Sequence, residues 1–172
     1  MHNTQLKIST LNKSIPTVRS LIEAEKECFD YDAVLTAGPN KYEVAFGHPV
    51  HKIVEFRDST HISSGGPTMD NVLEMLDFGI NVPKLLVHCH AGISRSTAMA
   101  WGIAIGNGVD AEEAIFSLKK AQPTNRLGFV LRPNNQRPFS PNSLIVHHLQ
   151  EIFNFKKHEL LKLLDKYRTE IW

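Results

Sequence analysis

Cysteine is scarce: Cys28 and Cys89 are the only two in 172 residues, too few for a disulfide framework or a four-cysteine zinc site, so cysteine chemistry here belongs to a free thiol. An excess of either charge is missing as well. With 19 Lys and Arg against 18 Asp and Glu, the formal net charge is +1, and without a basic stripe or arginine-rich tail the sequence gives no reason to expect nucleic acid or a membrane as partner. Any anion selectivity must be local. No run reaches the ~18 apolar residues of a membrane span, and the polar stretch MHNTQLKIST lacks the pattern of a secretory signal, so the expected location is cytoplasmic. Internal repeats, low-complexity tracts and linkers are absent too, and a chain of this length is expected to form one domain over residues 1–172.

What is present is an alternation of short apolar runs with longer amphipathic ones. LKIST (6–10), DAVLTAG (32–38), HKIVEF (51–56) and KLLVHC (84–89) read as strands. Helical patterns cover 17–29 and 67–79, then 94–106, 110–122 with Asp110 as its cap, and the segment from Pro141 onward. This order predicts an α/β fold: a central, mostly parallel sheet of four to five strands flanked by helices, with a helical C-terminal half. Ligands of such sheets sit beyond the carboxyl ends of the strands, where Cys89 lies. Near the end of the chain Ile145, Leu149, Ile152, Leu160, Leu163, Leu164, Tyr167 and Ile171 form an apolar stripe that predicts a long helix from about residue 142. Unbroken, it would extend ~45 Å. It is expected to bend near Asn154, fold back on its own core, or meet a second copy as a homo-oligomer contact.

The stretch HCHAGISRST (88–97) concentrates the chemistry. A metal reading fails on geometry, because successive residues on a strand face opposite sides and His88, Cys89 and His90 cannot converge on one ion. His147 and His148 add no legible ligand pattern. Cys28, on the apolar side of its helix, reads as structural, with any redox role left open. At Cys89 a strand ends, Ala91 and Gly92 let the backbone bend tightly, and a helix begins near Ser94 or Arg95. Such a bend points successive N–H groups into one concavity at a helix N-terminus, which seats a phosphate on His90, Ala91, Gly92, Ile93, Ser94 and Arg95 and favours an ionised sulfur at Cys89. The planar fork of Arg95 suits two phosphoryl oxygens, Ser96 can donate to the departing sulfur, and His88 is expected to brace the loop.

Cys89, five residues, Arg95 and Ser96 within VHCHAGISRS resemble the signature of the cysteine-dependent protein tyrosine phosphatase superfamily, and AGISRS is closest to its compact dual-specificity branch. The resemblance runs from about residue 51 to 153. It implies a phosphatase working through a cysteinyl-phosphate, without metal or cofactor, and a general-acid aspartate about thirty positions before the cysteine, which is Asp58. Asp70 and Asp77 fall within a helix pattern and are less suitable. Arg57, adjacent to Asp58, would favour the acid's ionised form, although neighbours in an extended segment point opposite ways. RPNNQRPFSPNS (132–143) resembles the segment after the fourth helix of dual-specificity phosphatases, where Asn142 matches a residue that helps hold the signature loop, and Arg132 and Arg137 are candidates for a second acidic group on a substrate. AWGIAIGNG departs from the family pattern and bears on partner docking; GNGVDA mimics a dinucleotide fingerprint but follows a helix.

None of the five residues between Cys89 and Arg95 is permanently cationic, whereas phosphoinositide phosphatases of the superfamily tend to carry lysines there. The expected partner is therefore a phosphorylated protein, on phosphotyrosine first with phosphoserine and phosphothreonine open, or a small phosphomonoester. A non-enzymatic phospho-binding module and a phosphoinositide phosphatase are the alternatives.

Overall fold

The computed structural model describes residues 13–38, 47–121 and 139–169. Among them four strands, β1 (Thr17–Arg19), β2 (Ala33–Ala37), β3 (His51–Val54) and β4 (Leu85–His88), form one all-parallel sheet in the order β1-β4-β2-β3. Six helices flank it: α1 (Leu21–Glu27), α2 (Met69–Gly79), α3 (Arg95–Gly106), α4 (Ala111–Lys120), α5 (Ser143–Ile152) and α6 (Glu159–Thr169). The predicted α/β architecture with a mostly parallel sheet is the one observed.

The central strands are buried along their whole length, as parallel strands covered on both faces must be. Alternation then divides their side chains. Ala33, Leu35 and Ala37 of β2 and Leu85 and Val87 of β4 join the main core with α2 to α6, while Val34 and Leu86 pack with Ala24 and Cys28 beneath α1. Burial pushes the Cys28 thiol up from its ordinary value, which keeps it protonated in that apolar pocket. In register, Thr36 lies opposite His88 and Val34 opposite His51, so the α1 face also carries Thr36, His88 and His51.

Several boundaries differ from the expectation. Residues 17–29 are not one helix: Thr17–Arg19 pair with β4, Ser20 caps α1 in a reciprocal capping box with Glu23, and Cys28–Asp30 tighten into a 3₁₀ turn. The β-branched Thr17 and Val18 gain more from a ladder beside β4 than from helix, and the Ser-x-x-Glu spacing marks the true helix start. The single long C-terminal helix is likewise two. The chain leaves α5 at Asn154 (φ 55°) and enters α6 after His158 (φ 64°), both left-handed, and α6 packs Leu160, Leu164 and Tyr167 into the protein's own core. Of the apolar stripe, Ile145, Leu149, Leu160, Leu164 and Tyr167 are thus covered within the chain, as a fold back on its own core requires, and Ile171 lies outside the described residues. The expected strand 6–10, Arg132 and Arg137 lie outside the described residues.

Helix α3 is buried on every side from Arg95 to Ala104, the pattern of a helix threaded through a core. Gly102 makes this possible against α5, because a Cβ there would collide with the side chain of Leu149. Trp101, fully buried, donates Nε1–H to the Ala111 carbonyl at 2.8 Å. The AWGIAIG stretch that departs from the family pattern is therefore core. GNGVDA is the turn from α3 into α4, with Gly108 left-handed (φ 82°) and Asp110 capping Glu112 and Glu113.

Candidate active site

Cys89 follows the last residue of β4, and α3 begins at Arg95, so residues 89–94 form a tight loop between a central strand and a buried helix. Three loop carbonyls are occupied from outside. The His90 carbonyl accepts from Leu21 N at 3.1 Å; that of Ile93 from Thr97 Oγ1 at 2.6 Å and Ser140 N at 3.3 Å; that of Ser94 from Thr97 Oγ1 at 2.9 Å and Asn142 N at 3.1 Å. Carbonyls tied outward leave the inner side of the loop to N–H groups of the kind an anion requires, and that of Gly92 is placed there. Gly92, left-handed at φ 69°, turns its N–H onto Cys89 Sγ at 3.3 Å. A side chain at that position would be strained.

Cys89 is only 2% exposed, and Ser96 Oγ lies 3.1 Å from its sulfur. The Gly92 N–H and the Ser96 hydroxyl thus both stand at the sulfur, beside the N-terminal end of α3. Arg95 is also buried, at 7% exposure; its Nη1 donates to the Phe56 carbonyl at 3.3 Å, while its Nε has no hydrogen-bond acceptor among the described residues. A buried guanidinium donor in that state gains by meeting an oxyanion.

Asp58 is brought to the loop by the segment leaving β3. Its Oδ1 accepts from Ser94 Oγ at 2.7 Å and from Asn142 Nδ2 at 2.9 Å, and Oδ2 lies 3.9 Å from Arg95 Nε. Because Oδ1 takes both hydrogen bonds, Oδ2 is the oxygen available to carry a proton. Arg57 goes elsewhere: its aliphatic chain lies across the turn at Gly65, whose left-handed backbone (φ 78°) leaves room for it, and its N–H bonds the Gly65 carbonyl at 2.7 Å. The structure thus separates the two neighbours.

Asn142 works at both ends. Its Oδ1 caps α5 by accepting from Leu144 N and Ile145 N, and its Nδ2 reaches Asp58 and the Ser59 carbonyl. His88 is fully buried, with Nε2 at 2.6 Å from Thr36 Oγ1. Burial holds its pKa down at about 4, so the ring is neutral. Its contact with Thr36 ties the end of β4 to β2 directly behind the loop.

The structure therefore brings together Cys89, Arg95, Ser96, Asp58, Ser94, Gly92, His88 and Asn142, and places the exposed His90 and the half-buried Ala91 and Ile93 in the same loop. Sequence reasoning passed over Thr97, which ties the loop to the helix, and Thr36 and His51 behind it. One signal was legible: a threonine inside the apolar strand AVLTA needs a hydrogen-bond partner. No group of three or more possible metal ligands occurs among the described residues.

No family model and no curated protein matches this sequence. Solved structures do. The PTP-2 phosphatase of Cydia pomonella aligns with a TM-score of 0.54 over 79% of this chain and 84% of its own, at 18% identity. The human tyrosine phosphatase-like serine/threonine/tyrosine-interacting protein gives 0.54 over 81% and 91%, at 16% identity. The chain has the fold of the cysteine-dependent protein tyrosine phosphatases. A third structure with this phosphatase fold, PTPMT1 in complex with PI(5)P, aligns at 0.50 over 81% of this chain and 92% of its own, at 18% identity. Within the phosphatase fold, Cys89 stands where the central strand meets the central helix. Among the described residues no helix is long and apolar enough to cross a membrane.

Proposed function

We propose that this protein is a phosphatase that hydrolyses phosphomonoesters on phosphorylated proteins, phosphotyrosine first, through a cysteinyl-phosphate. The observation that carries the reading is the convergence on one sulfur: Gly92 N at 3.3 Å, Ser96 Oγ at 3.1 Å, and an aspartate latched to the same loop by Ser94 and Asn142. The similar phosphatase structures supply support at the level of fold.

In the first step Cys89 thiolate attacks phosphorus, the bond to the leaving oxygen breaks, and Asp58 Oδ2 gives that oxygen its proton. Arg95 holds two of the phosphoryl oxygens as they flatten, while the inward N–H groups take up the growing charge. In the second step water attacks the phosphorus of the cysteinyl-phosphate, Asp58 accepts the water's proton, and the S–P bond breaks as Ser96 Oγ–H stabilises the departing sulfur. Side chains of the protein carry every proton, so neither step needs a cofactor. Neither cysteine is in a disulfide, and a thiol nucleophile works best in a reducing compartment such as the cytoplasm.

The absence of lysine between Cys89 and Arg95 ranks a phosphoinositide below a phosphoprotein. A module that captures phosphorylated partners without turnover ranks second also, since it needs the loop but neither a reactive sulfur nor an acid. The deciding measurement is steady-state hydrolysis of phosphotyrosine, phosphoserine and phosphothreonine peptides and a phosphoinositide, for the wild type and Cys89→Ser. The wild type should turn over the phosphotyrosyl peptide best, and C89S should bind phosphate with no turnover. Hydrolysis surviving in C89S would refute the nucleophile, and a wild type that binds without hydrolysing would favour the capture module.

A further inference from the structure

Helix α5 meets the loop that carries Asp58 at two places. At its start Asn142 Nδ2 bonds Asp58 Oδ1 at 2.9 Å and the Ser59 carbonyl at 3.2 Å. Six residues on, His148 Nε2 lies 3.1 Å from the Pro67 carbonyl, where the loop ends at the Thr68 cap of α2. That length of helix separates the two contacts by about 9 Å. Between them the loop is closed on itself: Arg57 N bonds the Gly65 carbonyl at 2.7 Å, Gly65 N that of Ile62 at 2.9 Å, and Ser64 N and Gly66 N both that of His61, at 3.2 and 3.1 Å. Residues 57–66 therefore turn as one piece. The direction of the His148 bond is fixed by its partner, since a carbonyl only accepts and Nε2 must carry the proton. His148 is 7% exposed, and its Nδ1 has no hydrogen-bond partner among the described residues. A buried ring nitrogen left in that state is a cost, so what histidine adds here over an apolar side chain is the donor at Nε2.

We propose that His148 is a positioning residue for the general acid: its bond to Pro67 holds the far end of the Asp58 loop on α5, so that the self-closed loop is pinned at two points and cannot pivot about Asn142. The inference rests on the phosphatase reading, in which Asp58 must present Oδ2 to the leaving oxygen. One latch fixes where Asp58 Oδ1 sits and leaves the carboxylate to swing with the loop. A second anchor about 9 Å along the same helix fixes its orientation as well. Oδ2, 3.9 Å from Arg95 Nε, is thereby kept on the Arg95 side. Protonation of the leaving group depends on that orientation, whereas attack of the sulfur on phosphorus does not. A tie that served only the packing of α2 on α5 would affect both alike.

The test compares two variants of the full-length protein: His148→Phe, which keeps a ring and removes the donor, and His148→Gln, which keeps an N–H donor. In H148F, kcat for an unactivated phenyl phosphate should fall about 2–10-fold, the size expected for losing one neutral hydrogen bond. An aryl phosphate with a strongly acidic phenol should be hydrolysed at nearly the wild-type rate, and H148Q should return toward wild type on both. Equal slowing of the two substrates, no slowing of either, or H148Q behaving as H148F would each overturn the proposal. Two NMR readings do not use turnover. The Asn142 side-chain amide protons should exchange with water faster in H148F than in the wild type, and unchanged exchange would overturn pinning at two points. In the unsubstituted protein, where no variant has to fold, His148 should carry its proton on Nε2; a proton on Nδ1 with Nε2 bare would remove the anchor. A wild type that hydrolyses neither substrate, with the amide exchange still quickened in H148F, would reject the phosphatase and keep the anchor.

Discussion

Asn142 joins a helix cap and an acid latch in one side chain, and Asn142→Ser separates them. Serine caps helices about as well as asparagine, so the Oδ1 bonds to Leu144 N and Ile145 N have a replacement, while the Nδ2 bonds to Asp58 Oδ1 at 2.9 Å and the Ser59 carbonyl at 3.2 Å have none. A hydrogen bond to a charged group contributes about 1.5–3 kcal/mol, and if it orders Asp58 for proton donation, its loss slows that step by about 10–100-fold. The loss should depend on the substrate. An aryl phosphate with a strongly acidic phenol leaves without a proton and should be hydrolysed at nearly the wild-type rate, whereas an alkyl or unactivated phenyl phosphate should lose the full factor in kcat. Stability in urea should fall by up to about 1.5–3 kcal/mol in N142S, which loses the Nδ2 bonds, and by about 1 kcal/mol more in Asn142→Ala, which loses the cap as well. The assay is kcat across a leaving-group series beside urea denaturation of the same preparations. Equal slowing of good and poor leaving groups, or a loss of stability in N142S equal to that in Asn142→Ala with catalysis intact, would refute the separation of latch from cap.

His88 gives a pH prediction with a definite sign. Its pKa is about 4 in the folded chain against an ordinary 6.5, so between those values the unfolded state binds the proton and the folded state does not. The contribution is fully present above pH 6.5, fades as pH falls toward 4, and amounts to about 3 kcal/mol at most. The wild type should therefore lose stability between pH 7 and 4.5 more steeply than His88→Gln, and parallel curves would contradict a neutral buried ring. Gly102→Ala places a methyl where the Leu149 side chain sits and should destabilise by about 1–3 kcal/mol in urea; a neutral result would mean that α3 and α5 yield more readily than their contact implies.

Much of the fold was legible because period and punctuation agreed. In α2, Val72, Met75, Leu76 and Gly79 fall at helical spacing behind the Thr68 cap, and the apolar runs of β2 and β4 have the length and branching of buried strands. The helix pattern of 17–29 starts too early because Thr17–Arg19 continue its period, and it takes the edge of β4 together with the Ser20 capping box to make them a strand. At the end of the chain α5 stops at the bend expected near Asn154, whereas the second break, at His158, carries no proline or glycine signal, so the apolar stripe reads as one long helix.

By itself the sequence determined the chemical inventory: a free thiol, a guanidinium six positions on, a glycine between them and an aspartate on an earlier loop, since these roles depend on residue type and short spacing. Tertiary structure alone decided which groups meet across the chain. Asp58 touches Ser94 and Asn142 because the segment leaving β3 meets the N-terminal ends of α3 and α5, and Thr36 links His51 to His88 because parallel strands in register set every second side chain on one face. Distances of that kind are properties of packing, which sums contacts from residues far apart in order, so no local stretch of sequence contains them.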